Sequence, residues 1–556
     1  MLVVGGAGAF GARLVAGLAT TTDLAVIVAG RDRARAEAVA RTVPEGRGRA
    51  ARLDATRVEA ADLRALGVAI VVDAAGPFQG GAPMLARAAI EAGLPYLDLA
   101  DGRDFVAAFP ALDPLARANG VVALTGASST PALSNAALDA LTDGWRSIET
   151  VRVAIVPGNR APRGLSVMRA ILSYAGRPVR ILQAGRWQNR PGWGLLRRIT
   201  VPGLGRRFAS LCETPDLDIL PARFPRLRTA LFRAGLELPV LHSGLSLASL
   251  PVRWRLLPSL VPFARLFLVI AGWLDRFGSD RGGMSVEVLG RDATGRPTRA
   301  VWSLVAEGGD GPSVPTLPAL AAIRRLTDPS AAPIPAGAYP CVGVLPLAAI
   351  EAEMGRLAIR TRRDVDHPLP LIERALGAGF AQMPEAVRAL HGSVGDGAFR
   401  GRAEVRRGRS PVAALVALLF RLPPAMADGP ICVTMEPDLE AGAERWTRWF
   451  PGRRFSSRMQ CVGPDGSGRV REHFGPFAMD LAVTGHADGL DMAVTGWRLG
   501  PLPLPRALRP TTRASERVDG EGRFRFDVAL FLPLVGLLVH YRGWLVRCDG
   551  REEETP

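Results

Sequence analysis

Lysine is absent: the 69 positively charged Lys and Arg side chains among 556 residues are all arginine. That absence excludes a Schiff-base nucleophile, a Walker-type phosphate loop and the Tyr-x-x-x-Lys pair of short-chain dehydrogenases. Cysteine is scarce. The five residues Cys212, Cys341, Cys432, Cys461 and Cys548 are widely separated and form no Cys-x-x-Cys pair, which argues for a reducing compartment and against structural zinc. No histidine falls at metal-ligand spacing, so no metal is expected. Long apolar runs are missing too. The longest, Leu266 to Leu274, is only about half a membrane span, and the N-terminus enters a glycine-rich turn without an export signal. The expected location is cytoplasmic. With only four residues before Gly5, the first strand is short, which leaves room for a start upstream of Met1.

The formal charge of +16 comes from arginines scattered along the chain against 53 acids. They form no clustered stripe interleaved with aromatics, so nucleic acid is set aside as a partner. A chain rich in Ala, Arg, Gly and Pro without Lys reads as coding bias. Hydrophobic residues at 48% against 22% charged make the chain globular, and its length calls for two to four domains.

What is present starts at Leu2–Gly11, where a short apolar strand runs into Gly6-x-Gly8-x-x-Gly11. Gly6 suits a tight turn, Gly8 a close approach of pyrophosphate, and Gly11 the packing of a following helix on the strand. The phosphates would meet that helix's N-terminus, at Ala9 and Phe10. A second strand, Leu24–Ala29, ends in Gly30-Arg31-Asp32-Arg33. An arginine where NAD enzymes usually carry an acid favours a 2′-phosphate, hence NADP over NAD. Asp32 remains available to a ribose. A third strand near Ala51–Leu53 leads to Asp54, and a buried strand, Val68–Asp73, exits into Ala74-Ala75-Gly76-Pro77-Phe78-Gln79. The Ala75–Pro77 bend is expected along the cofactor, with Phe78 either walling the nicotinamide or serving the core.

Further on, Tyr96-Leu97-Asp98-Leu99-Ala100-Asp101 reads as a strand with two carboxylates at its end. Asp98, Asp101 and Tyr96 are the catalytic candidates, as groups that burial could tune for proton transfer. Tyr174 and His242 stand behind them, His242 in an apolar stretch typical of a core histidine. Small hydroxyls at Ser128, Ser129 and Thr130 suit either substrate contact or a helix cap. Strand and helix alternate throughout residues 1–147, as a doubly wound parallel α/β sheet requires. In this order and spacing the motifs resemble the saccharopine-dehydrogenase-like NAD(P)-binding family. That resemblance implies a Rossmann domain at 1–147 followed by an α+β substrate domain with a mixed sheet at 148–345, and an oxidoreductase activity. Without lysine, saccharopine chemistry itself does not fit.

In the second unit, Met284–Leu289 and Arg299–Val305 read as a hairpin. Residues 187–207 and 254–274 carry an apolar mixture of Arg and Trp that suits a peripheral membrane contact, a substrate tunnel, a homodimer contact or a buried helix pair. A Pro-rich stretch at 329–340 and a charged one at 356–366 then separate the C-terminal third. Residues 367–550 shift to an antiparallel pattern with strands at 458–462, 469–473, 479–484, 490–497 and 524–530, predicting a curved sheet or partial barrel with an apolar interior. Trp446, Trp449, Phe474-Gly-Pro-Phe477 and Tyr541-Arg-Gly-Trp-Leu545 resemble a bacterial family, domain of unknown function 4166.

The expectation is therefore an NADP-dependent oxidoreductase acting on a small or lipid-like hydrophobic substrate. Two alternatives stay open: a non-catalytic nucleotide-binding protein whose C-terminal domain binds lipid or a partner, and a membrane-surface protein organised by the Arg/Trp segment.

Overall fold

A computed structural model describes residues 1–162 and 164–548 and the backbone of 552–553. Its first sheet has seven parallel strands in the spatial order Gly337–Pro340, Val122–Thr125, Tyr96–Asp98, Val71–Asp73, Leu2–Val4, Val26–Gly30, Gly48–Arg52. The central strands are apolar up to their carboxyl ends, where Asp73 and Asp98 sit, because helices cover both faces; Leu2, Val3, Val28, Val71 and Val72 are all buried. Chain order reverses between Leu2–Val4 and Val71–Asp73, which opens a crevice at their carboxyl ends. The two informative loops leave at that point. One sequence boundary moves: Gly337–Pro340, assigned to the second unit, pairs in parallel with Val122–Thr125 and ends the first sheet. An edge tolerates its proline. The preceding helix, Leu317–Thr327, sets Leu320 against Gly17 of the helix Ala9–Thr21.

The second sheet is mixed. Ser147–Val156 pairs in parallel with Thr229–Leu236 and antiparallel with Gly282–Arg291, whose hairpin to Pro297–Ala306 extends the predicted one at both ends. The charged stretch expected as a separator is instead the edge strand Ile359–Asp366, where arginines face water and discourage further pairing. Residues 187–207 are also strands: Arg186–Pro191, Arg197–Val201 and the start of Gly205–Leu211. Trp193 is buried against His242, and the Arg180 guanidinium lies 4.3 Å from the Trp187 ring. The two tryptophans of that half thus serve packing, while Leu195 and Leu196 stay exposed. The other half differs from a buried helix pair. Helices Pro239–Ala248 and Ala264–Trp273 leave large apolar side chains in water, including Leu247 at 65% exposed and Trp273 at 73%.

The C-terminal unit closes into a ten-stranded antiparallel barrel. Closure occurs at Gly489–Leu499, which pairs with Phe477–His486 on one side and Thr511–Val518 on the other. The five predicted strands are present, joined by Gly397–Arg407, Met426–Asp438, Ala443–Phe450, Thr511–Val518 and Gly536–Arg547. Alternation turns Phe399, Val433, Trp446, Phe455, Leu490 and Phe526 into one core, which Ile372 and Val387 of two short helices complete. Residues 549 and 550 of the expected domain lie outside the described residues. Arg152 of the second sheet bonds Asp396 at 2.8 Å and Glu287 at 3.2 Å, and Thr229 Oγ1 donates to Asp396 Oδ2 at 2.7 Å, fastening sheet to barrel.

Candidate nucleotide and substrate site

The glycine turn is built as a phosphate cradle, with one shift from the sequence reading. Gly5, not Gly6, has the positive φ, at +75°, and a Cβ there would lie 2.6 Å from the Ala74 carbonyl. The two loops at the crevice touch through that glycine. A Cβ on Gly11 would sit 2.2 Å from the Gly5 oxygen, so the helix Ala9–Thr21 approaches as closely as expected. Gly8 is that helix's N-cap, and a Cβ there would meet only the turn's own Gly5 oxygen, at 3.1 Å. Its outer side is open, and the first-turn amides of Ala9, Phe10 and Gly11 have no intrahelical acceptor. These residues fit a dinucleotide pyrophosphate.

Around the second strand's exit, Arg31 is exposed. Asp32, also exposed, uses its Oδ1 to accept from the Arg35 amide at 3.1 Å and so caps the helix Arg33–Ala40. Arg35 Nη2 donates to the Ala7 carbonyl at 3.1 Å and stiffens the turn. Asp54 closes its own turn, accepting from the Thr56 amide at 3.0 Å and hydroxyl at 2.8 Å. These bonds, with Arg31 nearby, hold its carboxyl below the usual range. At the other loop, the Ala75 amide donates to Asp73 Oδ1 at 2.8 Å, and the Gly76–Pro77 bond is cis. Phe78 turns inward, its ring 5.2 Å from Phe105, so it belongs to the core and does not wall a nicotinamide.

Of the three catalytic candidates, two are corrected. Asp98 and Tyr96 are fully buried. Asp98 Oδ1 accepts from Gly126 N at 2.6 Å, Thr125 Oγ1 at 2.9 Å and Ala100 N at 3.0 Å, while Tyr96 OH donates to Oδ2 at 3.2 Å. Burial raises the Asp98 carboxyl to about 7 against these stabilising bonds. The pair positions the loop at 126–131 and cannot reach a substrate. That loop's hydroxyls, Ser128, Ser129 and Thr130, are buried and cap no helix.

Asp101 is the carboxylate of the three that opens to the cleft, where Gln79 Nε2 donates to its Oδ1 at 3.1 Å. One side reaches solvent, yet the surrounding protein displaces enough water to raise its pKa. Within reach of the Asp101 charge the second unit supplies a buried pair that sequence reasoning did not connect: Tyr174 OH and Cys212 Sγ lie 2.7 Å apart. Burial, and then neighbouring charges including Asp101, push the thiol up to about 12. Tyr174 ends a helix and Cys212 follows a strand 38 residues later, so no local signal joins them. Arg103 bridges the two units, its Nε donating to Asp218 at 2.6 Å and its Nη1 to the Arg180 carbonyl at 2.8 Å. His242 is the core histidine its surroundings predict: Nε2 meets Ser210 Oγ at 2.9 Å, and burial lowers its pKa to about 4.

Comparison with known proteins agrees at both ends of the chain. Residues 1–138 match the saccharopine dehydrogenase NADP binding domain, and residues 383–545 match the domain of unknown function DUF4166. No curated protein matches the chain. Among solved structures, apo saccharopine dehydrogenase (L-Glu forming) from Saccharomyces cerevisiae is 13% identical, covering 65% of this chain and 99% of its own, with a TM-score of 0.48. A DUF3598-family protein of unknown function from Nostoc punctiforme is 11% identical over 49% of this chain and 68% of its own, with a TM-score of 0.19. A putative myo-inositol dehydrogenase from Sinorhizobium meliloti is 14% identical over 42% and 68%, with a TM-score of 0.24. The chain thus joins an N-terminal region that matches the saccharopine dehydrogenase NADP binding domain to a C-terminal region that matches DUF4166.

Proposed function

We propose that the protein is an NADP-dependent oxidoreductase acting on a lipid-like hydrophobic substrate. The observation that carries this reading is the open glycine cradle with Arg31 beside it and Asp32 engaged in a helix cap. The reduced cofactor, NADPH, when bound, would supply a hydride, and the oxidised form would accept one. The chain's own groups do the rest. First-turn amides hold the pyrophosphate, Arg31 pairs with the 2′-phosphate through its planar fork, and the Ala75–Pro77 bend bounds the cofactor on its other side. Asp101, with a raised pKa and Gln79 fixing one oxygen, gives or takes a proton at Oδ2.

An apolar substrate is favoured by what surrounds Tyr174. Its helix, Leu165–Tyr174, packs against Ala264–Trp273, whose outer face carries exposed Leu266, Val269 and Trp273. Arg253, Arg255, Arg265 and Arg276 flank this shelf, a composition matched to an anionic membrane surface. A homodimer is the competing occupant.

Titration of NADPH and NADH against wild type and Arg31→Asp, read by nicotinamide fluorescence, tests the cofactor reading. NADPH binding that Arg31→Asp weakens supports it; failure of both nucleotides to bind overturns it. A second reading, a non-catalytic nucleotide-binding protein, is favoured by the burial of Asp98 and Tyr96. Oxidation of bound NADPH by hydrophobic enones or ketones decides between the two.

A further inference from the structure

A cavity of about 370 Å³ opens between the second sheet and the outer wall of the barrel. Neighbouring strands Ser147–Val156 and Thr229–Leu236 set Arg152 and Arg233 in its lining, and the barrel contributes Arg445, Trp449 and Arg454 from the opposite side. Seven arginines line it against two acids, Asp396 and Glu436. Alternation along Ser147–Val156 puts Arg152 on this face and buried Val151 and Val153 on the other, and neither Tyr174 nor Cys212 lines the cavity.

The charges are not alike. Arg152 is neutralised by Asp396 and Glu287. Arg233 is only 6% exposed, and its Nε is buried without a hydrogen-bond partner. Burial, followed by the charges of Arg197 and Arg152, lowers its pKa to about 10. Trp449 Nε1 is a second buried donor without a partner on the same lining. Asp396 and Glu287 also act on it but are bonded to Arg152 and Thr229, so a guanidinium held this deep gains from a further anion that offsets its desolvation.

We propose that this cavity binds a phosphate-bearing ligand, a phosphomonoester or diphosphate whose oxyanion seats on Arg233 between the second sheet and the barrel. A single carboxylate would leave most of the arginine excess uncompensated. A phosphate concentrates two or more charges in one group and matches several guanidinium forks at once. Trp187 and Trp449 give flat walls for the organic part of the ester.

Calorimetric titration of the full chain with pyrophosphate and with glycerol phosphate, at fixed ionic strength, tests the site. All titrations are repeated in Arg31→Asp, so that phosphate held by the nucleotide turn is not mistaken for it. Saturable binding that survives Arg31→Asp and weakens at least tenfold in Arg233→Gln is the expected result. Arg454→Gln, on the exposed rim, weakens it too and carries the test if Arg233→Gln does not fold. Capture on vesicles containing phosphatidic acid, compared with phosphatidylcholine alone, separates the sources: capture lost with the same arginines indicates a lipid headgroup, and binding of the soluble probes without it a free ester. No saturable binding of any probe, loss with Arg31→Asp alone, or indifference to both Arg233→Gln and Arg454→Gln overturns the proposal.

Discussion

Gln79 Nε2 donates to Asp101 Oδ1 at 3.1 Å, tying the loop that leaves Val71–Asp73 to the end of the segment that leaves Tyr96–Asp98. The bond engages Oδ1, and Oδ2 is the oxygen to which the proposed function assigns the proton. Because the Asp101 pKa is raised, its acid form persists to higher pH than an ordinary carboxyl's. Reduction that uses this proton therefore falls as pH rises through the raised value. Asp101→Asn is expected to keep NADPH affinity, lose about 100-fold or more in kcat/KM and lose that pH limb. Wild-type turnover with an unchanged profile in Asp101→Asn would remove Asp101 from the chemistry.

Gly8 and Gly11 belong to one motif but answer to different constraints. A Cβ on Gly11 would lie 2.2 Å from the Gly5 oxygen, a backbone atom with no room to yield, whereas the nearest atom to one on Gly8 is 3.1 Å away. Gly11→Ala is expected to lose about 1–3 kcal/mol of stability by overpacking, seen as a lower denaturant midpoint. Gly8→Ala is expected to unfold close to wild type while NADPH binds at least tenfold more weakly. Equal stability losses in the two variants would contradict this division.

Asp98 links stability to pH. Its folded pKa of about 7 stands above its unfolded value of 3.8, so between those values the folded state binds more protons. Stability is then greatest toward the acid side of the window and falls as pH rises from 4 to 7. Asp98→Asn keeps acceptors for Gly126 and Thr125 without the buried charge, and its melting temperature is expected to fall less between pH 5.5 and 7.5 than wild type's. Asp98→Ala strands those donors and is expected to cost about 3 kcal/mol at either pH. A parallel pH dependence in wild type and Asp98→Asn would show that the carboxyl does not titrate in that window.

The parts legible in sequence are those whose chemistry is local. A glycine turn between a strand and a helix has few substitutes, and alternation alone placed Tyr96 beside Asp98. The doublet Gly5-Gly6 hid which glycine takes the positive φ, because backbone direction is set by the contact with Ala74. The depth of Asp98 was hidden as well, since its cover comes from a loop some 28 residues on. Gly337–Pro340 is too short and proline-rich to read as a strand, and only the edge beside Val122–Thr125 makes it one. In the barrel, Gly397–Arg407 carries outward arginines that blur its pattern, and closure through Gly489–Leu499 is a pairing no local window contains.

The helices at 239–273 show the same limit in a form that can be measured. Their periodicity suits either a core or a surface, and in the structure Trp254 at 63% exposed and Trp273 at 73% face water. Inserting Trp or Leu side chains into a membrane interface is worth about 1.5–3 kcal/mol each at full burial, and an arginine near an anionic surface about 1 kcal/mol. Co-sedimentation with vesicles containing phosphatidylglycerol is therefore expected for wild type, with weaker retention on phosphatidylcholine and in high salt, which screens the arginines. The double variant Leu266→Ser/Trp273→Ser loses the insertion term and is expected to bind at least tenfold more weakly at every salt concentration. If the wild type ignores both vesicle types and instead doubles its mass with concentration, and the double variant stays a monomer, the shelf is a dimer contact and the membrane reading falls.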